Sequence, residues 1–300
     1  MKKILFASTA LVATAGVAAA DVDFTGAAKM GFKYDHSATD KWSTVAETTL
    51  SVAMTGETDG GLSFGAKFDI TAGKSFDPAK ATQAQEIIDK TIVYVEGGFG
   101  KLSVGEVDNA AQTVTGLSDI GLTGLGTDNI AETLRGASKA NILYEGTFGD
   151  FKAALSYNMV ASTNANDGDW AVGGKYTMGD YSAGLGFSKA AGANAVHVQL
   201  GANVGDIALA GLYSSTTGSG AKTHDYGITA AYTMGAVTVT AAYSDTNAAL
   251  TAAQITAGAT KTSGYGLGVA YDLGGGASLQ AGVGEIKGLT KADLGIKMSF

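Results

Sequence analysis

The chain contains no cysteine, so no disulfide framework holds it and a small stapled secreted fold is excluded. Proline occurs once, at Pro78, so extended ladders run through the rest of the chain without a missing donor. Charged residues make up only 16%, and a single arginine, Arg135, stands among them. With basic residues spread singly along a chain of net charge −8, there is no nucleic-acid footprint. Beyond the N-terminal segment there is no apolar run of about 18 residues, the requirement for a spanning helix. That absence leaves a barrel untouched, because each of its strands needs only about ten alternating residues.

The N-terminus supplies the compartment. Lys2 and Lys3 precede an apolar run from Ile4 to Val17, and Ala18 and Ala20 occupy the small-residue positions before a cleavage site. This reads as a secretory signal peptide over residues 1–20, leaving a single domain over 21–300. Removing Lys2 and Lys3 takes the formal charge from −8 to −10.

Two-residue alternation fills that domain. In "VDFTGAAKMGFKYD", Val22, Phe24, Ala28, Met30, Phe32 and Tyr34 share one face, while Lys29 and Lys33 share the other. Phe64, Phe68 and Ile70 oppose Lys67 and Asp69 in the same way. The last strand, "KADLGIKMSF", sets Leu294, Ile296, Met298 and Phe300 against Asp293, Lys297 and Ser299. Such segments number about 16. They fall near 22–35, 44–55, 61–74, 90–97, 100–106, 139–146, 150–159, 169–178, 180–189, 195–204, 206–214, 225–234, 236–245, 264–273, 277–286 and 290–300. Short Gly-bearing turns such as "TFGD", "MGD" and "LGGG" alternate with longer polar connections, as expected of an all-β, antiparallel transmembrane barrel. An even strand number puts both ends of the chain on the short-turn side. Tyr176, Tyr232 and Tyr271 each stand three residues before a turn glycine, which sets them at one height as an interfacial girdle.

Two connections carry further patterning. In "SFDPAKATQAQEIIDK", Asp77 suits a cap and Pro78 a first helical position, so a short helix is expected from Ala79 to Asp89. The longest connection, 107–138, is too long to be a structureless loop without a function. Within it, Asn129 and Glu132 have capping-box spacing and Gly136 is placed as a stop.

Other candidate chemistry is weak. His36, His197 and His224 have no companion at metal-ligand spacing, and His197 shares the lumenal parity of Gln199 and Asn203. Asn164, Asp167 and Asp169 could donate oxygens to calcium, but their spacing is not that of an EF-hand and a solvated loop is the favoured reading. "GYGLG" and "GGFGK" lack the ending that binds phosphate, so these glycines are read as serving turns and a roomy lumen.

On the opening "DVDFTGAAKMGFKYD", the stretch "VYVEGGFGKLSVGEVDNA", the return "SKANILYEGTFGDFKAALSY" and the terminus "LGIKMSF", the chain resembles the general diffusion porins of the bacterial outer membrane, of alphaproteobacterial type. The resemblance implies a homotrimer of 16-stranded barrels whose third outer loop folds inward. It also implies a passive channel for small hydrophilic solutes and ions, with no enzymatic activity and no cofactor. Its surroundings would be outer-membrane lipid and lipopolysaccharide, with Phe300 read by the barrel-insertion machinery. Barrels of 16–18 strands are wide enough for water, a general size relation and not a dimension of this chain. At the constriction, the resemblance sets Glu106, Asp108, Asp119, Asp128 and Glu132 on the acidic side. Lys29, Lys33 and Lys67 on the wall, with Arg135 and Lys139 at the loop's return, form the basic side. Glu106 stands where related porins often have arginine, and one arginine cannot make a guanidinium cluster, so strong anion selectivity is not expected; five carboxylates against the three wall lysines, in a mature chain of charge −10, make weak cation selectivity the expectation. The alternatives are a structural or adhesive barrel with a plugged lumen and a soluble periplasmic sandwich. The protein is expected to leave the outer membrane only in detergent and to migrate as an oligomer until heated; a soluble monomer in electrophoresis and gel filtration would favour the sandwich.

Overall fold

The computed structural model describes residues 21–73, 87–133, 140–159, 168–190, 192–218 and 221–300. The expected signal peptide lies outside them, as do Asp77, Pro78, Arg135, Gly136, Lys139, Asn164 and Asp167. The described residues form sixteen strands: β1 (Asp21–Asp35), β2 (Trp42–Glu57), β3 (Ser63–Ala72), β4 (Ile87–Gly97), β5 (Gly100–Val107), β6 (Ala140–Phe148), β7 (Phe151–Tyr157), β8 (Trp170–Met178), β9 (Tyr181–Ala190), β10 (Ala193–Val204), β11 (Ile207–Gly218), β12 (Ala221–Met234), β13 (Val237–Thr246), β14 (Gly264–Gly274), β15 (Ala277–Ile286) and β16 (Leu289–Ser299). Each pairs antiparallel with its chain neighbours, and β16 returns to β1 to close the barrel. Two short helices, α1 (Thr127–Glu132) and α2 (Ala252–Thr256), lie in connections.

Closure follows from the alternation of the two terminal strands. Their register sets Met30 opposite Ile296 and Phe32 opposite Leu294, with Lys33 opposite Asp293 on the other face. Gly26 and Phe300 exchange backbone hydrogen bonds at 3.2 and 2.8 Å, finishing the seam. Each of the sixteen strands therefore has a partner on both sides, as a sheet in hydrocarbon requires.

The outer face is apolar on every side. Phe24, Met30, Phe32, Leu185, Leu200, Ile228, Leu267 and Leu294 are all exposed, and Leu200 retains 63% of its surface. A continuous band of that kind far exceeds the apolar patches tolerated in water, and it is what a lipid-facing wall presents. Tyr176, Tyr232 and Tyr271 stand on this face, 45–49% exposed. The glycines three residues beyond them, Gly179, Gly235 and Gly274, take positive φ of 56°, 58° and 78° in the turns.

Several local expectations are corrected. Ile87–Asp89, assigned to a helix, begin β4, because their ladder to β3 outweighs local helix propensity. The second half of the barrel does not keep the short–long alternation. β11 and β12 extend to Gly218 and Ala221, past the apolar segments, through Ser, Thr, Lys and His positions that continue the ladder. β15 and β16 meet at Lys287–Gly288, both with positive φ, in a two-residue hairpin. A Thr251–Gln254 capping box, legible as T-x-x-Q and not anticipated, starts α2.

The outward parity of β10 yields a test. Leu200 sits in the middle of that strand, where a charge on the lipid face costs about 2–4 kcal/mol. Leu200→Lys is expected to lower the unfolding free energy in lipid vesicles by that amount, whereas a water-facing site would show almost no change in urea titration.

Candidate functional site

Among the described residues, the clusters of buried apolar side chains lie where the connection after β5 meets the inner wall of the barrel. Asn109 and Gln112 start this segment with reciprocal bonds: the Asn109 side chain accepts the Ala111 and Gln112 amides at 3.0 and 3.1 Å, and the Gln112 side chain accepts the Asn109 amide at 3.1 Å. The Ala110 amide donates to Ser156 on β7 at 2.9 Å. Val107, Ala110, Ala111 and Val114 then pack against Leu143, Ala154 and Ala171 of β6–β8. Further on, Gly116 exchanges two bonds with the Gln199 side chain of β10, at 3.0 and 2.7 Å.

The wall's inward glycines make this approach possible. A Cβ added at Gly173 or Gly184 would stand 2.4 or 2.5 Å from the carbonyl oxygens of Ala110 and Val114. At Gly266, Gly282 and Gly295 it would strike Ile120, Gly121 and Leu122 at 2.5–2.7 Å. These contacts run through β8, β9, β14, β15 and β16. Gly266, among the glycines expected to leave a roomy lumen, instead belongs with the other four to the bed of the loop, because side chains at those positions would hold it off the wall.

The clamp is Asp293 on β16, 5% exposed. Its carboxylate accepts the amides of Leu122 and Thr123 at 2.9 and 2.8 Å and the Thr123 hydroxyl at 2.7 Å. Beyond the clamp the chain turns back into α1, where Ser244 on β13 donates to the Thr127 carbonyl. The expected capping box at Asn129 does not form. The helix starts earlier, with Gly126 in the left-handed region as its N-cap, and Glu132 is drawn away to accept the Leu117 amide at 2.6 Å.

Asp119, Asp128 and Glu132 come together on this segment. Burial, then the charge and hydrogen bond of Asp119, then the charge of Glu132 push the Asp128 carboxyl up to about 7. Glu106 and Asp108 lie elsewhere, at the start of the loop near β3–β6. Glu106 accepts the Lys90 backbone amide at 3.0 Å, at a point where Lys90 has φ 55° and the β3–β4 register shifts. It therefore braces the wall.

The wall from β1 to β7 carries the opposing charges. Lys29 pairs with Glu47 at 3.1 Å, Lys90 with Asp69 at 3.3 Å, Lys101 with Glu96 at 3.7 Å and Lys152 with Glu145 at 2.7 Å. Lys101 also lies over the Tyr94 ring, 3.8 Å from its centroid. Lys67 shares a cavity of about 420 Å³ with Lys90, Tyr94 and Lys101 on one side and Glu106, Asp108 and Glu145 on the other. Lys33 is opposite Asp293 in the ladder, at the clamp. Of the calcium candidates, Asp169 alone is described, and it is buried rather than solvated. His197 is fully buried, between the hydroxyls of Ser188 and Ser214 at 3.0 and 2.9 Å. A separate hollow of about 480 Å³ lies on the lipid side of β8–β12, lined by Tyr176, Leu200, Leu209 and Ile228.

Sequence reasoning missed Lys90, because it fell at the edge of the expected helix, and missed Lys101 and Glu145, although both have inward parity. Asp293 was read only as a polar position, since nothing local marks a partner 170 residues away. Hydrogen bonds to a charged group contribute about 1.5–3 kcal/mol each, less when lost together. Asp293→Ala is therefore expected to destabilise the protein by about 3 kcal/mol and to broaden the distribution of single-channel conductances. An unchanged, narrow distribution in planar bilayers would mean that the loop is held without the clamp.

Comparison with known proteins agrees with this geometry. The chain is 29% identical to a porin of Rhodobacter capsulatus over 93% of its own length and all of the relative's. A porin structure refined at 1.8 Å superposes with a TM-score of 0.67 at 25% identity, again over 93% of this chain and all of the other. A variant of Rh. blastica porin, at 20% identity and the same coverage, has the same fold with a TM-score of 0.74. The profile of the Gram-negative porin family matches residues 7–290, nearly the whole chain, and the chain belongs to that family: it is an outer-membrane barrel built as a passive diffusion channel.

Proposed function

We propose that the barrel is a water-filled passage for small hydrophilic solutes and ions, weakly selective for cations. The observation that carries this reading is the wetness of the inner wall. The inward side chains of Lys29, Lys101 and Lys152 keep 30–35% of their surface accessible. A plugged lumen would cover them. No reaction is needed: the wall removes the hydrocarbon barrier, and charges beside the passage sort solutes by sign. By family likeness the assembly is a homotrimer in lipid and lipopolysaccharide, exported by cleavage of residues 1–20 and inserted through recognition of Phe300.

The sign of the selectivity follows from the charges left over. Lys29, Lys90, Lys101 and Lys152 are offset by Glu47, Asp69, Glu96 and Glu145, and Glu106 serves the wall. Among the described residues of the expected constriction, Asp108, Asp119, Asp128 and Glu132 are then left against Lys33 and Lys67. Because the Asp128 carboxyl titrates at about 7, it is mostly neutral below that pH and adds a negative charge above it. A carboxyl raised in the folded state binds more protons there than in the unfolded chain, so stability falls as pH rises from about 4 to 7 and then levels.

In a potassium chloride gradient, steady open steps are expected, with a reversal potential on the cation side. The preference should increase from pH 6 to pH 8 and become flat in Asp128→Asn. Silent bilayers would favour the plugged barrel, and a chloride preference at pH 8 would put other residues in control of the field.

A further inference from the structure

We propose that the cavity between the start of the loop and β3–β6 is a retention site for small zwitterions, molecules such as amino acids and short peptides that carry one ammonium and one carboxylate. The inference rests on the channel reading above and names a solute class for it.

Six charged side chains line this cavity, and four of them are engaged within the protein. Lys90 is held by Asp69, Lys101 by Glu96 and Tyr94, and Glu145 by Lys152. Glu106 takes the Lys90 amide. Lys67 and Asp108 remain, one of each sign, lining the same cavity with no ionic or hydrogen-bonded partner among the described residues. They come from different elements, Lys67 from the inward face of β3 and Asp108 from the first residue past β5.

Each kind of solute meets that pair differently. An anion is drawn to Lys67 and repelled by Asp108, and a cation meets the reverse. An uncharged polyol gains neither contact. A zwitterion lying between them meets both, and its dipole is aligned as it enters. The volume, about 420 Å³, is at the small end of ligand pockets, which run to about 1,000 Å³. It holds one small solute with water around it. Contacts so hydrated are weak, as passage demands: binding that favours entry must still permit exit.

The experiment uses the full mature protein in planar bilayers at fixed potassium chloride, with glycylglycine as the zwitterion and sorbitol, acetate and methylammonium as comparisons. Glycylglycine is expected to reduce the open-channel current saturably, while the three comparisons change it only in proportion to bulk conductivity. Lys67→Ala and Asp108→Ala should each raise the half-saturating glycylglycine concentration about fivefold, the effect of losing one partly screened charge contact. The exchanged variant, Lys67→Asp with Asp108→Lys, should restore saturation with the solute reversed. Saturation by sorbitol, equal saturation by acetate or methylammonium alone, or a half-saturation point unmoved by both single substitutions would overturn the proposal. If a single variant fails to insert, the four-solute comparison on the unaltered protein still decides it. Absence of open steps in the unaltered protein would overturn the channel reading itself and is recognised before any solute is added.

Discussion

The structure depends on one constraint: in hydrocarbon, a backbone amide or carbonyl without a partner costs several kcal/mol. A sheet meets that constraint only if its first strand finds its last. Here β1 and β16 pair from Ala27–Ser299 to Asp35–Lys291, and Gly26 and Phe300 complete the seam. Once the sheet is closed, period-two alternation sorts side chains without further instruction. One parity faces lipid and is uniformly apolar, and the other faces inward and is free to be small, polar or charged.

Closure also inverts the usual place of the hydrophobic core. Since the apolar residues are spent on the outer surface, the interior is stabilised chiefly where the loop after β5 lies on the wall. Backbone meets backbone there, which explains the run of inward glycines, and one carboxylate on the last strand accepts three bonds from the loop at its turning point. The loop is fastened along β6–β16, while the inward lysines Lys29, Lys101 and Lys152 keep part of their surface accessible. The carboxylates of α1 and Asp119 crowd one another on the fastened side, and burial together with that crowding raises the pKa of Asp128.

Wall and loop therefore differ in kind. Lysines of the wall are held by neighbours two strands away at most, within ladders whose register is fixed by lipid. The loop is placed by contacts along its own length, such as Glu132 to Leu117, and with strands far along the chain, such as Thr123 to Asp293 on β16. Solute sorting arises between these two systems, and the unmatched Lys67 and Asp108 stand where they meet.

The sequence by itself determined the strands, their parity and the closed antiparallel barrel, because each is a local consequence of alternation and turn glycines. It also marked Lys29, Lys33 and Lys67 as inward, since parity is a property of the strand alone. Three things waited for the tertiary structure: Glu106 bracing the Lys90 bulge, the Glu132 side chain reaching from α1 to Leu117, and Asp293 gripping the loop. Each joins residues that no periodicity relates, and a side chain's partner there is chosen by how the loop lies across the wall. The role of the glycines was decided in the same way, since a missing side chain has no meaning until the atom that occupies its space is known.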